Sequence, residues 1–215
     1  MKKFLLFPAI LPAVITLFCL SGCGDIVLFD RTLQPPPKKV AVSCIAVLPT
    51  ESRIDFDHTL SYKAAHSLEQ GTVIMDSLLR EELAGREKIR FAAGDLLDDT
   101  AMDARILPAE KARLAAAKLN CNLVLQVTLS RFQSRIGTNY SAQRPAGAAF
   151  DYRLIEAENG HVLCRGEFDE TQTSILENLF TLTKASNRGF RWISGEQLLR
   201  EGLREKLGEC PYLPR

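Results

Sequence analysis

The sequence lacks the short motifs by which common enzyme classes are recognised. It has no GxSxG nucleophile elbow, no glycine-rich phosphate loop and no HExxH zinc motif. Its histidines, His58, His66 and His161, have no cysteine or carboxylate at a chelating spacing. We therefore expect no metal and no cofactor. An enzyme is kept only as an alternative in which a Ser-His-Asp site is assembled from distant positions.

The chain also lacks an excess of charge of either sign. It has 27 Lys and Arg residues against 26 Asp and Glu residues, and it has no basic runs. Domains that bind nucleic acid concentrate positive charge on one face or in one segment. We therefore expect no nucleic acid among the partners.

Long apolar stretches are absent except at the N-terminus, where residues 4–20 carry no charge. Two lysines precede this stretch and small residues follow it, which is the pattern of a bacterial signal peptide. A transmembrane helix is the alternative, because 17 residues approach the minimum for spanning a bilayer. Pro8 and Pro12 interrupt the stretch and no basic cluster follows it, which favours the signal peptide.

The residues at 20–23, Leu-Ser-Gly-Cys, resemble the lipobox of bacterial lipoproteins. The resemblance implies cleavage between Gly22 and Cys23, and lipid on the sulfur and amine of Cys23. Several acyl chains together give stable anchoring to a membrane. Residue 24 is glycine rather than aspartate, which in enterobacterial lipoproteins favours transfer to the outer membrane. We therefore expect the chain to face the periplasm from the outer membrane.

Removal of the signal peptide at 1–22 leaves 193 residues, enough for one α/β domain with a core. Residues 23–39 end in three prolines and two lysines, which predicts a stiff, extended tether. The domain is expected over 40–215. The 16 residues from Gly24 to Lys39 span at most roughly 50–60 Å, so the domain should work close to its membrane.

The mature domain has few cysteines, and none of them is closely spaced. Export to an oxidising compartment makes them disulfide candidates with three possible full pairings: Cys44, Cys121, Cys164 and Cys210. Their wide separation argues against a zinc site. The pattern favours buried, apolar cysteines with one disulfide at most.

Hydrophobic periodicity predicts alternating strands and helices in the first half of the domain. Residues 40–49 are apolar on both faces, as in a strand covered on both sides. Residues 50–70 show no clear period and are expected to form a loop or a weak helix. An amphipathic helix follows between Thr72 and Gly85, and then a short strand at 88–92.

The second half begins with a helix that Pro108 opens and Asn120 closes, followed at once by a strand at 123–130. Residues 150–168 predict an antiparallel hairpin, because alternating apolar positions flank Asn159-Gly160, a pair typical of type I′ turns.

The last helix is predicted to start at Ser194, which forms a capping box with Gln197, and to end before Gly208. The resulting order β-α-β-α-β-β-β-α places the fold in the α/β class. We expect one three-layer domain whose mixed sheet has about five strands. Its first part should be parallel, its C-terminal hairpin antiparallel, and helices should cover both faces.

Five segments together resemble a known module: IAVLP at 45–49, LLREELAG at 78–85, IRFA at 89–92, and the segments 114–132 and 153–163. This order resembles the α/β domain shared by penicillin-binding-protein activator lipoproteins, curli-secretion lipoproteins and the N-terminal domain of the periplasmic Tol-system protein. The resemblance implies a non-catalytic domain that binds other envelope proteins. It transfers no binding residue, because only core positions match.

The chain departs from that family at 134–147 and 168–193, where its own function should lie. Arg135 and Arg144 flank Tyr140, and two interpretations of this mixture stay open. One is contact with a partner protein or an anionic glycan, since arginine and tyrosine are enriched at interface centres. The other is an exposed hairpin loop with solvated charges. Trp192, the single tryptophan, is expected to pack beside the start of the last helix rather than to stack on a ligand.

These features predict a lipid-anchored accessory module that docks an envelope protein. A subunit of an outer-membrane secretion channel is the structural alternative. Such a pore needs strands of about 9–11 residues with one lipid-facing side. Residues 50–70 and 134–147 show no such alternation.

Overall fold

The structure, a computed structural model, describes residues 40–52, 61–93, 108–173 and 182–213. The predicted signal peptide, the lipobox with Gly22 and Cys23, and His58 lie outside the described residues. The described elements belong to one compact unit, Ala41–Arg215. Within the described ranges, no helix is both long enough and apolar enough to cross a membrane.

Eight strands and four helices are described, numbered here in chain order. The strands are β1 (Ile45–Val47), β2 (Glu51–Ser52), β3 (Ile89–Phe91), β4 (Leu123–Gln133), β5 (Ile136–Gly137), β6 (Ala142–Arg144), β7 (Gly147–Glu156) and β8 (Val162–Thr171). The helices are α1 (Tyr62–Glu82), α2 (Pro108–Leu119), α3 (Leu182–Asn187) and α4 (Gly195–Gly208).

The main sheet has the strand order β3-β1-β4-β7-β8, and β2 pairs with β4 beyond the end of β1. Strands β3, β1, β2 and β4 run parallel, whereas β4, β7 and β8 are antiparallel. The predicted α/β class and mixed sheet are confirmed.

Alternating side chains of β4 serve two different helix layers. Val124 packs with the alanines of α2, and these small residues are almost completely buried, so that α2 lies close to β1 and β4. Leu125 and Leu129 are fully buried and point to the opposite face, against which α1 and α4 pack. The sheet therefore lies between two helix layers, as the sequence predicts.

Helix α1 begins ten residues before the predicted start, so of the two expectations for this stretch the helix holds over 62–70 and the loop is wrong there. Ser61 is its N-cap, and its hydroxyl accepts a hydrogen bond from the Ala64 N–H at 3.3 Å. The first half of the helix hides its period because Gly71 occupies a buried position. A Cβ at Gly71 would lie 2.6 Å from Leu129, so only glycine lets the helix approach the sheet this closely.

The predicted hairpin of β7 and β8 is confirmed, but the prediction of a type I′ turn at Asn159-Gly160 is wrong. Gly160 has φ of 72°, whereas Asn159 is not left-handed as that turn requires. Residues 157–160 form a four-residue loop that is closed by a hydrogen bond from the Glu156 N–H to the His161 carbonyl at 2.8 Å. The Asn159 side chain accepts from the His161 N–H at 2.9 Å, which stabilises this longer loop.

Three other predicted element ends are confirmed. Gly85 and Asn120 have φ of 72° and 50°, the left-handed conformation that ends a helix. Ser194 caps α4 by accepting a hydrogen bond from the Gln197 N–H at 3.1 Å.

The four cysteines form two disulfides, where the sequence favoured one at most. Cys44 bonds to Cys121, and Cys164 bonds to Cys210. The first links the start of β1 to the end of α2, and the second links β8 to the end of α4. Both join segments that are distant in sequence, which is why spacing does not reveal the pairing.

Candidate functional site: an arginine-rich tip

Strand β4 ends at Gln133 and leads into the segment 134–146, which belongs to the predicted loop at 134–147. In the structure this segment forms a small hairpin of β5 and β6. Gly137 has φ of 121°, and a Cβ there would lie 2.3 Å from the Ser141 carbonyl. Only glycine therefore fits this tight turn. The Thr138 N–H donates to the Ser141 carbonyl at 2.8 Å and closes it.

A second segment, 188–193, lies against this hairpin. The Trp192 N–H donates to the Asn139 carbonyl at 2.8 Å. Arg135 donates to the Asn139 side-chain oxygen at 2.7 Å and also to the Trp192 carbonyl. We call the two segments, 134–146 and 188–193, the arginine tip. Arg135 is thus a positioning residue inside the tip, since its guanidinium crosslinks both segments.

Two glutamines, Gln172, which is buried, and Gln133, which is half-buried, fix the tip to the sheet behind it. Gln172 donates to the Arg191 carbonyl at 2.8 Å and accepts from the Ile193 N–H at 2.9 Å. Gln133 donates to the Pro145 carbonyl at 2.8 Å. Because each side chain bonds to backbone groups of the tip, the two segments have a defined position relative to the sheet.

The start of the second segment is fixed by an ion-pair cluster. Arg188 is only 8% exposed and donates to Glu170 and Glu201, both at 2.8 Å. Burial alone would lower the pKa of Arg188, but its hydrogen bonds to both carboxylates outweigh this and hold that pKa above its ordinary value. The same contact, together with one from Lys184, holds the pKa of Glu170 below its ordinary value despite burial.

Three large apolar side chains project from the arginine tip. Tyr140 is 77% exposed, Phe190 57% and Ile136 44%. Phe190 also has φ of 55°, a conformation that costs a bulky residue roughly 1–3 kcal/mol and persists only where the surroundings enforce it. Trp192 is half-buried, and Ile193 is the buried residue directly before the cap of α4. The expected packing role therefore belongs at least as much to Ile193 as to Trp192.

The tip is rich in positive charge. It contains four arginines, Arg135, Arg144, Arg188 and Arg191, and no aspartate or glutamate. Arg144 is half-buried and Arg191 is exposed. The sequence points to Arg135, Tyr140 and Arg144. The structure adds Phe190 and Arg191, which sequence reasoning missed. One sequence signal could have found these two residues: both segments of the tip lack acidic residues.

The face of β4, β7 and β8 that lies opposite α1 and α4 is a different kind of surface, and among the described helices only α2 covers part of it, at β4. It forms an open concavity of about 1420 Å³. Its floor carries both signs of charge, and Arg153 lies 3.9 Å from Asp151. Antiparallel sheets commonly have one solvated face with this polar alternation. The mixed charge of this face is therefore explained by its being the solvated side of an antiparallel sheet.

Neither described histidine lines this concavity. His66 lies 3.6 Å from Glu69 on the outer side of α1, and His161 is exposed. Over the described ranges, no group of three His, Cys, Asp or Glu side chains is placed to hold a metal ion.

Comparison with known proteins gives solved structures only: no family model matches, and no curated protein matches. The chain is similar to the PelC dodecamer from Paraburkholderia phytofirmans, with 16% identity, 80% of this chain and 88% of that chain covered, and a TM-score of 0.43. The LpoB C-terminal domain from Salmonella enterica is 14% identical, and the match covers 63% of this chain and 87% of that chain with a TM-score of 0.36. The chain is also similar to lipoprotein GNA1162 from Neisseria meningitidis, with 14% identity and a TM-score of 0.37. That match covers 68% of this chain and 97% of that chain. At these identities and TM-scores the three structures say nothing about the function of this chain.

Proposed function

We propose that this chain is a non-catalytic accessory lipoprotein of the bacterial envelope, anchored to the outer membrane through Cys23, that binds another envelope protein through the arginine tip. The observation that carries the proposal is the exposure of Ile136, Tyr140 and Phe190 on one hydrogen-bonded platform. The predicted contact residues are Tyr140 and Arg144, while Arg135 supports them from within the tip.

The energetics favour a docking role for this surface. Full burial of a large apolar side chain contributes about 1.5–3 kcal/mol, so three such side chains can supply much of the free energy of a specific contact. Tyrosine, phenylalanine and arginine are enriched at protein interfaces. The platform is already ordered by the bonds from Arg135 and Gln172, so binding loses less conformational entropy there than on a mobile loop.

The position of the tip in the domain supports the same role. The chain enters the domain beside the start of β4, where the Asn122 side chain donates to the Ala41 carbonyl at 2.7 Å. The tip follows the other end of that strand. Because β4 has 11 residues, the two ends lie about 35 Å apart. The predicted tether therefore joins the domain at the end opposite the tip.

Site-specific photocrosslinking tests the proposal in the intact, lipidated protein. A photoreactive residue at Tyr140 or Phe190 should give an adduct with one envelope protein. Matched positions on α1, Tyr62 and Val73, are 88% and 71% exposed but lie outside the tip, and they should not give that adduct. Equal adducts from both sets, or none from the tip, would overturn the proposal.

The secretion-channel alternative gains no support from the segment 134–147. Its strands β5 and β6 have two and three residues, against the roughly 9–11 that a membrane-spanning strand needs.

A further inference from the structure

We infer that the partner surface that meets the arginine tip is acidic: a protein segment in which aspartate or glutamate lies beside an apolar side chain. This inference rests on the proposed docking at the tip. It names the chemistry of the partner, which docking alone leaves open.

The first observation is a local imbalance of charge. The whole chain is nearly neutral, with 27 basic and 26 acidic residues, yet the 19 residues of the tip contain four arginines and no carboxylate. The imbalance therefore comes from the arrangement of charges and not from the composition of the chain. A positive patch attracts a negative one and repels a basic partner.

The second observation concerns which arginines are available. Arg188 is occupied by Glu170 and Glu201, and Arg135 is bonded to Asn139 and to a backbone carbonyl. The guanidinium groups of Arg144 and Arg191 make neither a hydrogen bond nor an ion pair with any residue that the structure describes, although the Arg191 backbone carbonyl accepts from Gln172. Both guanidinium groups can therefore form bidentate contacts with carboxylates of a partner.

The third observation is that each available arginine has an apolar neighbour. Arg144 is paired directly with Ile136 across β5 and β6, which places their Cβ atoms roughly 4.5–5.5 Å apart on one face. Arg191 follows Phe190 in the chain. A partner that binds Arg144 with Ile136, and Arg191 with Phe190, must itself place an apolar group beside each carboxylate.

The surroundings of Tyr140 favour a protein over other anionic partners. An anionic polysaccharide carries the charge but offers little apolar counterpart to Ile136 and Phe190. A bilayer offers apolar depth, but the side chains of Asn139 and Ser141 on either side of Tyr140 are exposed and carry N–H and O–H donors that would lose their hydration in hydrocarbon. A protein segment supplies charged, polar and apolar groups together.

The test places a photoreactive residue at Tyr140 in the full lipidated chain and compares charge variants. In R144E/R191E, the adduct yield should fall at least about ten-fold, because two attractive contacts become repulsive. The matched control K63E/R113E changes the net charge equally at exposed positions outside the tip and should keep the original yield. The neutral variant R144Q/R191Q, which is least disturbing to folding, should show an intermediate loss.

Mass spectrometry of the adduct then identifies the partner segment. We expect aspartate or glutamate next to the crosslinked apolar residue, and we expect lysine at that acidic position to restore the adduct in R144E/R191E. An unchanged yield in R144E/R191E, or a captured segment without acidic residues, overturns the inference while docking at the tip stands. A dominant adduct to lipid or glycan also overturns it. Loss of the adduct from the unaltered tip overturns the proposed function itself.

Discussion

Gly202 lies on the side of α4 that faces β8, and its missing side chain sets how closely the helix packs. A Cβ at this position would lie 2.7 Å from the Phe168 ring, a separation that real Cβ atoms essentially never show. We expect Gly202→Ala to push α4 away from the sheet or to displace the ring. A Cβ at Gly208, at the end of the same helix, would meet no atom within 4 Å, so Gly208→Ala is the matched control.

The two variants together isolate the cost of the clash. Replacing a helical glycine by alanine adds up to about 1 kcal/mol of helix propensity at either site. Overpacking a core costs about 1–3 kcal/mol, and only Gly202→Ala incurs this cost. Gly202→Ala should therefore unfold about 1–3 kcal/mol more easily than Gly208→Ala, which corresponds to several degrees in Tm. Urea and thermal unfolding by circular dichroism measure the difference. Equal stability of the two variants would refute the close packing of α4 on β8.

Three further predictions address the disulfides, the ion-pair cluster and the anchor. Cys44→Ala with Cys121→Ala should lower the free energy of unfolding by about 4 kcal/mol in urea titrations, because the bond closes a loop of 77 residues. Glu170→Gln should destabilise the domain at neutral pH. Since the pKa of Glu170 is lowered below 4.5 in the folded state, this difference should shrink as pH falls below 4.5, which unfolding curves at several pH values will show. Cys23→Ala should abolish palmitate labelling, and labelling that persists would contradict the predicted anchor.

Local patterns in the sequence are sufficient for most of the sheet, for the C-terminal ends of α1 and α2 and for the start of α4. The left-handed conformations of Gly85 and Asn120 are local properties of the backbone, so residue type alone predicts them. The start of α1 is not predictable in this way. Gly71 is buried because Leu129 and Phe132 lie against it, and a pattern that counts apolar residues treats that glycine as a gap.

The candidate site is predictable only in part. The mixture of Arg135, Tyr140 and Arg144 identifies the correct region. It does not show that Arg135 is bonded to the Trp192 carbonyl, because this contact joins residues 57 positions apart. Nor does it bring Phe190 to the same surface. Contacts between loops depend on the fold that carries them, whereas the lack of carboxylates in both segments is visible in the sequence itself.

The two ends of β4 are both fixed, and this has a mechanical consequence for an anchored protein. At the start, Asn122 accepts hydrogen bonds from the Ser43 and Cys44 N–H groups at 3.0 and 3.3 Å, and the disulfide between Cys44 and Cys121 closes the same junction covalently. At the other end, the side chain of Gln172 holds the tip. Between them, β4 is paired with β7 over almost its whole length, and with β1 and β2 at 123–125 and 128–129. Strand β4 therefore acts as a rigid connection between its two fixed ends. A partner bound at the tip would be held about 35 Å along the strand from the point where the tether joins the domain.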